Sequence, residues 1–227
     1  MALLPMKDRD RLLDELDAYP VKAVINVLFS GICRTDSLLR WNSITMMGVM
    51  VGRLADQQME AARVIMRRFL WSLNDESGGI GWGAPESMAE ACCAHAGIAK
   101  EYLHMLISYM HEDGEELCQD GNYLEHLTLQ RGLLWGIARV ASCRPQLLRQ
   151  RGVGPEVAAY LDSPDAEVRG LATLTVGLLR YRAALPQLEW LQRDASILQL
   201  FLHGEFCQVT VAELAEEALA RMEEEVV

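Results

Sequence analysis

The sequence predicts a mainly α protein, a right-handed α-solenoid of stacked helix pairs that ends in a small C-terminal β-hairpin and a capping helix. Three observations predict it. Apolar residues recur three and four positions apart through most of the chain, the spacing of one helix face. Hydrophobic residues make up 51% of the 227 positions while aromatic residues make up only 7%, a balance that suits helix packing better than sheet. Finally, an arginine-centred pattern returns at intervals close to the length of one helix pair.

The stretch Leu161 to Leu179, LDSPDAEVRGLATLTVGLL, carries the clearest signals. Ser163 is placed to N-cap, Pro164 stands where a missing N–H costs nothing, and Asp165 faces the positive end of the helix. Val168, Leu171, Ala172 and Leu174 recur at helical spacing, and the small Ala172 and Gly177 leave room for a neighbouring helix. Asp165, Val168, Arg169 and Ala172 form D-x-x-V-R-x-x-A, which resembles the second helix of a HEAT repeat. That resemblance implies a stack of similar helix pairs, with the arginine bracing neighbouring repeats. Aligning Arg40, Glu86, Arg131 and Arg169 gives separations of 46, 45 and 38 positions, close to the roughly 40–47 of HEAT and armadillo units. Glu86 stands where an arginine is expected, and only the last unit has the pattern in full. The resemblance covers most of Leu38 to Leu191 and implies a repeat domain over residues 1–192, with residues 193–227 forming the hairpin and helix cap.

In chain order, Lys7 to Ala18 is an amphipathic helix with Leu12, Leu13 and Leu16 inward, ended by Tyr19-Pro20. Val21 to Ile32 is apolar almost all round and should be covered on several sides. After a turn at Arg34-Thr35-Asp36, Leu38 to Leu54 forms a buried helix. Its Gly48 and Gly52 lie one turn apart, and because glycine costs roughly 1 kcal/mol in a helix interior, close helix approach is the expected compensation. Gly48 follows Arg40 by the same eight positions that separate Gly177 from Arg169. Asp56 to Leu73 is a further amphipathic helix, with Arg63, Arg67 and Arg68 on its polar face. The pattern stops at Asn74 to Pro85, a polar, Gly-rich loop, and Pro85-Glu86 restart a helix. Ser87 to Met110 divides into two helices hinged near Gly97, and His111 to Asn122 is an acidic loop. Tyr123 to Ala141, Pro145 to Arg151 and Pro155 to Leu161 are helical. Beyond Trp190 the chain alternates around His203-Gly204, a tight turn between two strands, and Thr210 to Glu213 forms a capping box that opens the last helix.

Composition limits the function classes. With 21 Lys plus Arg against 32 Asp plus Glu, the formal charge of -11 repels phosphate backbones, so nucleic acid is not an expected partner. No apolar run is long enough to span a bilayer, and the charged N-terminal stretch lacks the apolar core of a secretory signal, so a cytoplasmic protein is expected. Cys33, Cys92, Cys93, Cys118, Cys143 and Cys207 contain no C-x-x-C pair and read as buried reduced thiols. Cys92, Cys93, His95, His104, His111 and Cys118 raise a metal centre, as does the E-x-x-H of Glu101 and His104; yet a di-metal bundle needs two such motifs, and adjacent cysteines diverge around a helix. No metal, cofactor or catalytic residue is therefore expected. Trp41, Trp71, Trp135 and Trp190 read as core packing, and Met46, Met47, Met50, Met59 and Met66 as fillers of irregular gaps.

One stretch stands out as a binding surface. Trp82 is set among Gly78, Gly79, Gly81 and Gly83 and flanked by Asn74, Asp75, Glu76, Glu86 and Glu90, so an amphipathic ring is displayed on a permissive backbone beside four carboxylates. It lacks the Gly-Lys-Ser/Thr of a P-loop. The competing assignment is a rigid connection with Trp82 tucked into the core. The leading functional expectation is a non-enzymatic scaffold that recognises a protein partner through this 74–90 region, because stacked helix pairs generate extended surfaces. Two alternatives come from resemblance: a HEAT-like alkylpurine DNA glycosylase, which needs a basic cleft this chain with three lysines supplies poorly, and a bilin-lyase-like HEAT subunit. Oligomeric state is not legible. No appreciable binding to duplex DNA is expected at physiological salt, as measured by anisotropy titration; micromolar, salt-sensitive binding would favour the glycosylase reading.

Overall fold

The computed structural model describes residues 1–74, 81–112 and 122–223. These fall into two compact units: residues 1–109 with 122–123, and residues 110–112 with 124–223.

In the first unit, Asp8 caps α1 (Arg9–Leu16) by accepting from the Arg11 N–H, and Pro20 precedes α2 (Val21–Gly31). α2 is less enclosed than its composition suggests, since Val27 is exposed while Val24, Ile25 and Leu28 are buried. Asp36 caps the 21-residue α3 (Ser37–Gln57), around which α2, α4 (Met59–Leu73) and α5 (Ala84–Ala94) pack. The two glycines of α3 explain how α5 comes so near. A Cβ on Gly48 would lie 2.5 Å from Glu90 Cβ, and one on Gly52 3.1 Å from Ala94 Cβ. Asn42, wholly buried, donates from Nδ2 to the carbonyls of Leu4 and Met6 and accepts from Arg9, which ties the first residues to α3. The hinge predicted near Gly97 falls at His95, whose Nδ1 accepts from the Ile98 N–H and caps α6 (Ala96–Ser108).

The second unit contains α7 (Leu127–Cys143), α8 (Pro145–Gln150), α9 (Gly154–Ala158) with a 3-10 turn at Ala159–Asp162, α10 (Ala166–Leu179) and α11 (Leu185–Leu191). The N-cap of α10 is Asp165 rather than Ser163. Its carboxylate, a stronger acceptor at the positive helix end, takes the Val168 N–H at 3.1 Å, while Ser163 Oγ accepts from Asp165 N. The antiparallel pair β1 (Ile197–Leu202) and β2 (Glu205–Thr210) turns at His203 and Gly204, both with positive φ, as a two-residue hairpin requires. The Thr210–Glu213 capping box then opens α12 (Val211–Glu223), which packs on α10. A Cβ on Gly177 would stand 2.6 Å from Ala218 Cβ, so Gly177 permits this packing as Gly48 permits that of α3 on α5.

Arginines on α3, α7 and α10 span to acids on neighbouring segments. Arg40 of α3 bonds Glu86 of α5 at 2.5 Å; Arg131 of α7 grips both oxygens of Asp165 at 3.1 and 2.6 Å. Arg169 of α10 bonds Asp194 Oδ2 from Nε and Nη2 at 2.8 and 2.7 Å and reaches the Ser163 carbonyl at 2.6 Å. Asp194 in turn accepts from Ser196 N, and its carbonyl takes the Ala212 N–H, so this pair anchors the entrances to both the hairpin and α12.

Two expectations about side-chain burial are corrected. Trp71 and Trp190 are each 64% exposed and pack no core, whereas Trp135 is buried and donates from Nε1 to the Phe201 carbonyl. Cys92 is a buried reduced thiol, but the reduced Cys33 is exposed and the reduced Cys207 half-buried, and Cys93 and Cys143 are disulfide-bonded rather than reduced. Cys118 lies outside the described residues. Among those described, no helix is long and apolar enough to cross a membrane.

Hydrogen bonds from Arg131 hold the Asp165 carboxyl below the usual aspartate range. For Asp194 burial pushes upward, but the hydrogen bonds from Ser196 and Arg169 outweigh it and the carboxyl is again held low. Arg169→Ala is expected to lower the unfolding free energy by about 1–3 kcal/mol in urea, because Asp194 and the Ser163 carbonyl lose their partner. Carboxyls more acidic in the folded state stabilise fully above the unfolded value of about 3.9, and this contribution is lost as pH falls through the lower folded values. The gap between variant and wild type should therefore narrow below about pH 3.9.

Candidate functional site

The corner that leads into α5 is fixed by backbone geometry. Gly83 has a φ of 78°, in the left-handed region that favours glycine, and a Cβ there would meet the Ile32 carbonyl oxygen at 2.6 Å. The Ala84 N–H bonds the Gly81 carbonyl at 3.0 Å, and Ser87 donates to the Gly83 carbonyl through both its backbone N–H and its hydroxyl. Cys33, at the end of α2, directs its Sγ at the Trp82 carbonyl 3.5 Å away. The peptide of Trp82 is thus held while 36% of the residue is left exposed.

The first turn of α5 buries a carboxyl group. Glu86 occupies the third position of α5 at 2% exposure, its Oε1 bound by Arg40 and its Oε2 without a hydrogen-bond partner. Burial pushes the Glu86 carboxyl above its usual range, opposed by the Arg40 guanidinium and by the backbone N–H of Glu86 itself. Arg40 also lies 5.3 Å from the centre of the Trp41 ring. Burial likewise raises the Cys33 thiol, with Arg40 opposing, so the cluster holds no activated thiolate.

The structure therefore brings together only part of the predicted surface. Trp82 is displayed, but Glu86 and Glu90 are buried at 2% and 8%, and their carboxylates do not stand beside it as exposed acids. Asn74 closes α4, and its Oδ1 accepts from Tyr109 OH at 3.1 Å. Asp75, Glu76 and Gly79, with Gly78, lie outside the described residues. Sequence reasoning missed Cys33, Trp41 and the pairing of Arg40 with Glu86, although the acid at the arginine position was itself a signal. The residues weighed for a metal are placed otherwise: both Glu101 oxygens accept from Arg63, at 2.8 and 2.7 Å, and His95 Nδ1 is occupied by its cap.

Comparison with solved structures agrees with this architecture. The chain is similar to a designed armadillo repeat protein at 15% identity, covering 94% of this chain and 87% of that one with a TM-score of 0.53. It is also similar to a designed armadillo repeat protein in complex with the peptide (KR)4, at 17% identity, 94% and 86% coverage and a TM-score of 0.57. No protein-family model matches the chain, and no curated protein matches it. At these identities the likeness shows the fold, an armadillo/HEAT-type helical repeat.

A raised carboxyl has the opposite linkage to Asp165: Glu86 adds stability when protonated, and that contribution is lost as pH rises from the unfolded value of about 4.3 through the higher folded one. Glu86→Gln keeps a hydrogen-bonding oxygen for Arg40 without the buried charge, and should change stability at pH 7 by less than about 1.5 kcal/mol. Glu86→Ala leaves a void and a stranded guanidinium, and should cost about 2–4 kcal/mol. Urea midpoints at pH 5 and pH 7 check both, with Gln removing the portion of the acid-side gain that Glu86 supplies.

Proposed function

We propose that this protein is a non-catalytic helical-repeat module that recognises a protein partner, with the 74–90 corner as its contact. The observation that carries this reading is Trp82, a large amphipathic ring left part-exposed on a backbone tied down on both sides. A ring carried on a backbone held in this way requires no main-chain ordering on binding, which suits an interface anchor. In this reading Glu86, paired with Arg40, fixes the first turn of α5 that follows Trp82.

Charge favours a cationic segment as ligand. The chain has a formal charge of -11, and the peptide in one similar structure is (KR)4. The glycosylase alternative is disfavoured because Arg40, Arg131 and Arg169 are each paired with a carboxylate rather than gathered as free phosphate contacts.

The test uses a labelled (KR)4 peptide and Trp82→Ala. The variant is expected to unfold near the wild-type midpoint and to bind the peptide at least about tenfold more weakly. A stability loss of about 3–5 kcal/mol would instead mark Trp82 as core, and unchanged binding would remove the corner from the contact.

A further inference from the structure

The exposed face of α4 departs from the rest of this acidic chain. Val64, Arg67, Arg68 and Trp71 recur at three- and four-residue spacing along two turns, about 10 Å of helix, and all four are exposed, Trp71 at 64%. Arg63 completes three arginines within six positions, against a total of 21 basic residues in the whole chain. Two of these arginines are already engaged: Arg63 with Glu101 and Glu60, and Arg67 with Glu60.

Arg68 is different. Its guanidinium lies 3.7 Å from the centre of the Phe29 ring of α2, and among the described residues it has no carboxylate partner. A guanidinium laid on an aromatic face keeps its N–H donors in its own plane, where a carboxylate can take two of them in parallel. Stacking also restricts the side chain before a ligand arrives, so less freedom is lost on binding. One turn further on, Trp71 offers a large apolar surface of the kind that anchors interfaces, with Val64 at the other end of the stripe.

We propose that this stripe is a second docking surface, whose occupant is an acidic peptide segment carrying a bulky apolar side chain. The carboxylate pairs with Arg68 and the apolar group packs on Trp71. An anionic bilayer is the less fitting occupant: a chain of formal charge -11 is repelled by an extended negative surface, whereas a peptide needs to meet only the stripe. The proposed ligand is opposite in charge to the one assigned to Trp82, so the two surfaces are separable.

The probe is a labelled helical peptide of Glu and Leu, with a Lys-for-Glu peptide and phosphatidylserine vesicles as competing arms, followed by anisotropy or co-sedimentation. Saturable, salt-weakened binding of the Glu/Leu peptide is expected, reduced about tenfold or more by Trp71→Ala and by Arg68→Gln. Trp190→Ala, an equally exposed tryptophan on α11, and Trp82→Ala should leave it unchanged. Circular dichroism of each variant establishes that the helices are intact. Preference for the Lys peptide, binding to vesicles in place of the peptide, or full binding by Trp71→Ala and Arg68→Gln would each overturn the proposal.

Discussion

A guanidinium that must reach a carboxylate on the next packed element, with a glycine eight residues further along to let the backbones close, is the constraint on which each unit depends. Arg40 and Gly48 present this arrangement to Glu86 and Glu90; Arg169 and Gly177 present it to Asp194 and Ala218. The two features need each other. A side chain at Gly48 or Gly177 would hold the helices apart, and without the ion pair the acid at the far end would be desolvated with no charge to answer it. Arg131 and Asp165 keep the pair without the glycine, since Arg139 stands eight positions on, and there the acid is also a helix cap.

This economy of parts separates what holds the fold from what is left exposed. The acids Glu86, Asp165 and Asp194 are withdrawn into packing, where their contribution depends on pH in opposite directions: Asp165 and Asp194 stabilise as carboxylates, Glu86 as the acid. The exposed tryptophans are set at or near the ends of elements. Trp82 precedes α5, Trp71 lies in the last turn of α4 and Trp190 in that of α11, positions where a ring is displayed without interrupting a buried helix face. Residues displayed on such edges can change while the arginine pairs and glycine contacts stay as they are.

The sequence made the skeleton legible because helix periodicity, glycine spacing and capping chemistry are local. Gly48 and Gly177 announced close approach, His203-Gly204 the turn and Thr210-Glu213 the cap, and each is found where its residues stand. Partner identity was harder to read because it is non-local. Nothing near Asp194 marks it as the acceptor for Arg169, and Glu86 looks like a surface acid in a first turn until α3 is laid over it. Tryptophans were assigned to the core from apolar neighbours alone, but a helix carries apolar residues on more than one side, and Trp71 and Trp190 fall on the open one. Ser163 and Asp165 are both good caps, and Asp165, which takes the role, also bonds Arg131, 34 positions away, a link that no local pattern announces.

The central claim, that arginine–acid pairs couple packed elements rather than merely decorate them, is tested most directly by a double-mutant cycle on Arg169 and Asp194. Unfolding free energies of wild type, Arg169→Ala, Asp194→Ala and the double variant, in urea at pH 7, isolate the interaction from the separate effects of each side chain. The account predicts a coupling of about 1–2 kcal/mol, since both groups are mostly buried and joined by two hydrogen bonds. Additive losses, with coupling below about 0.3 kcal/mol, would contradict it and leave the glycine-mediated packing to hold the elements together alone.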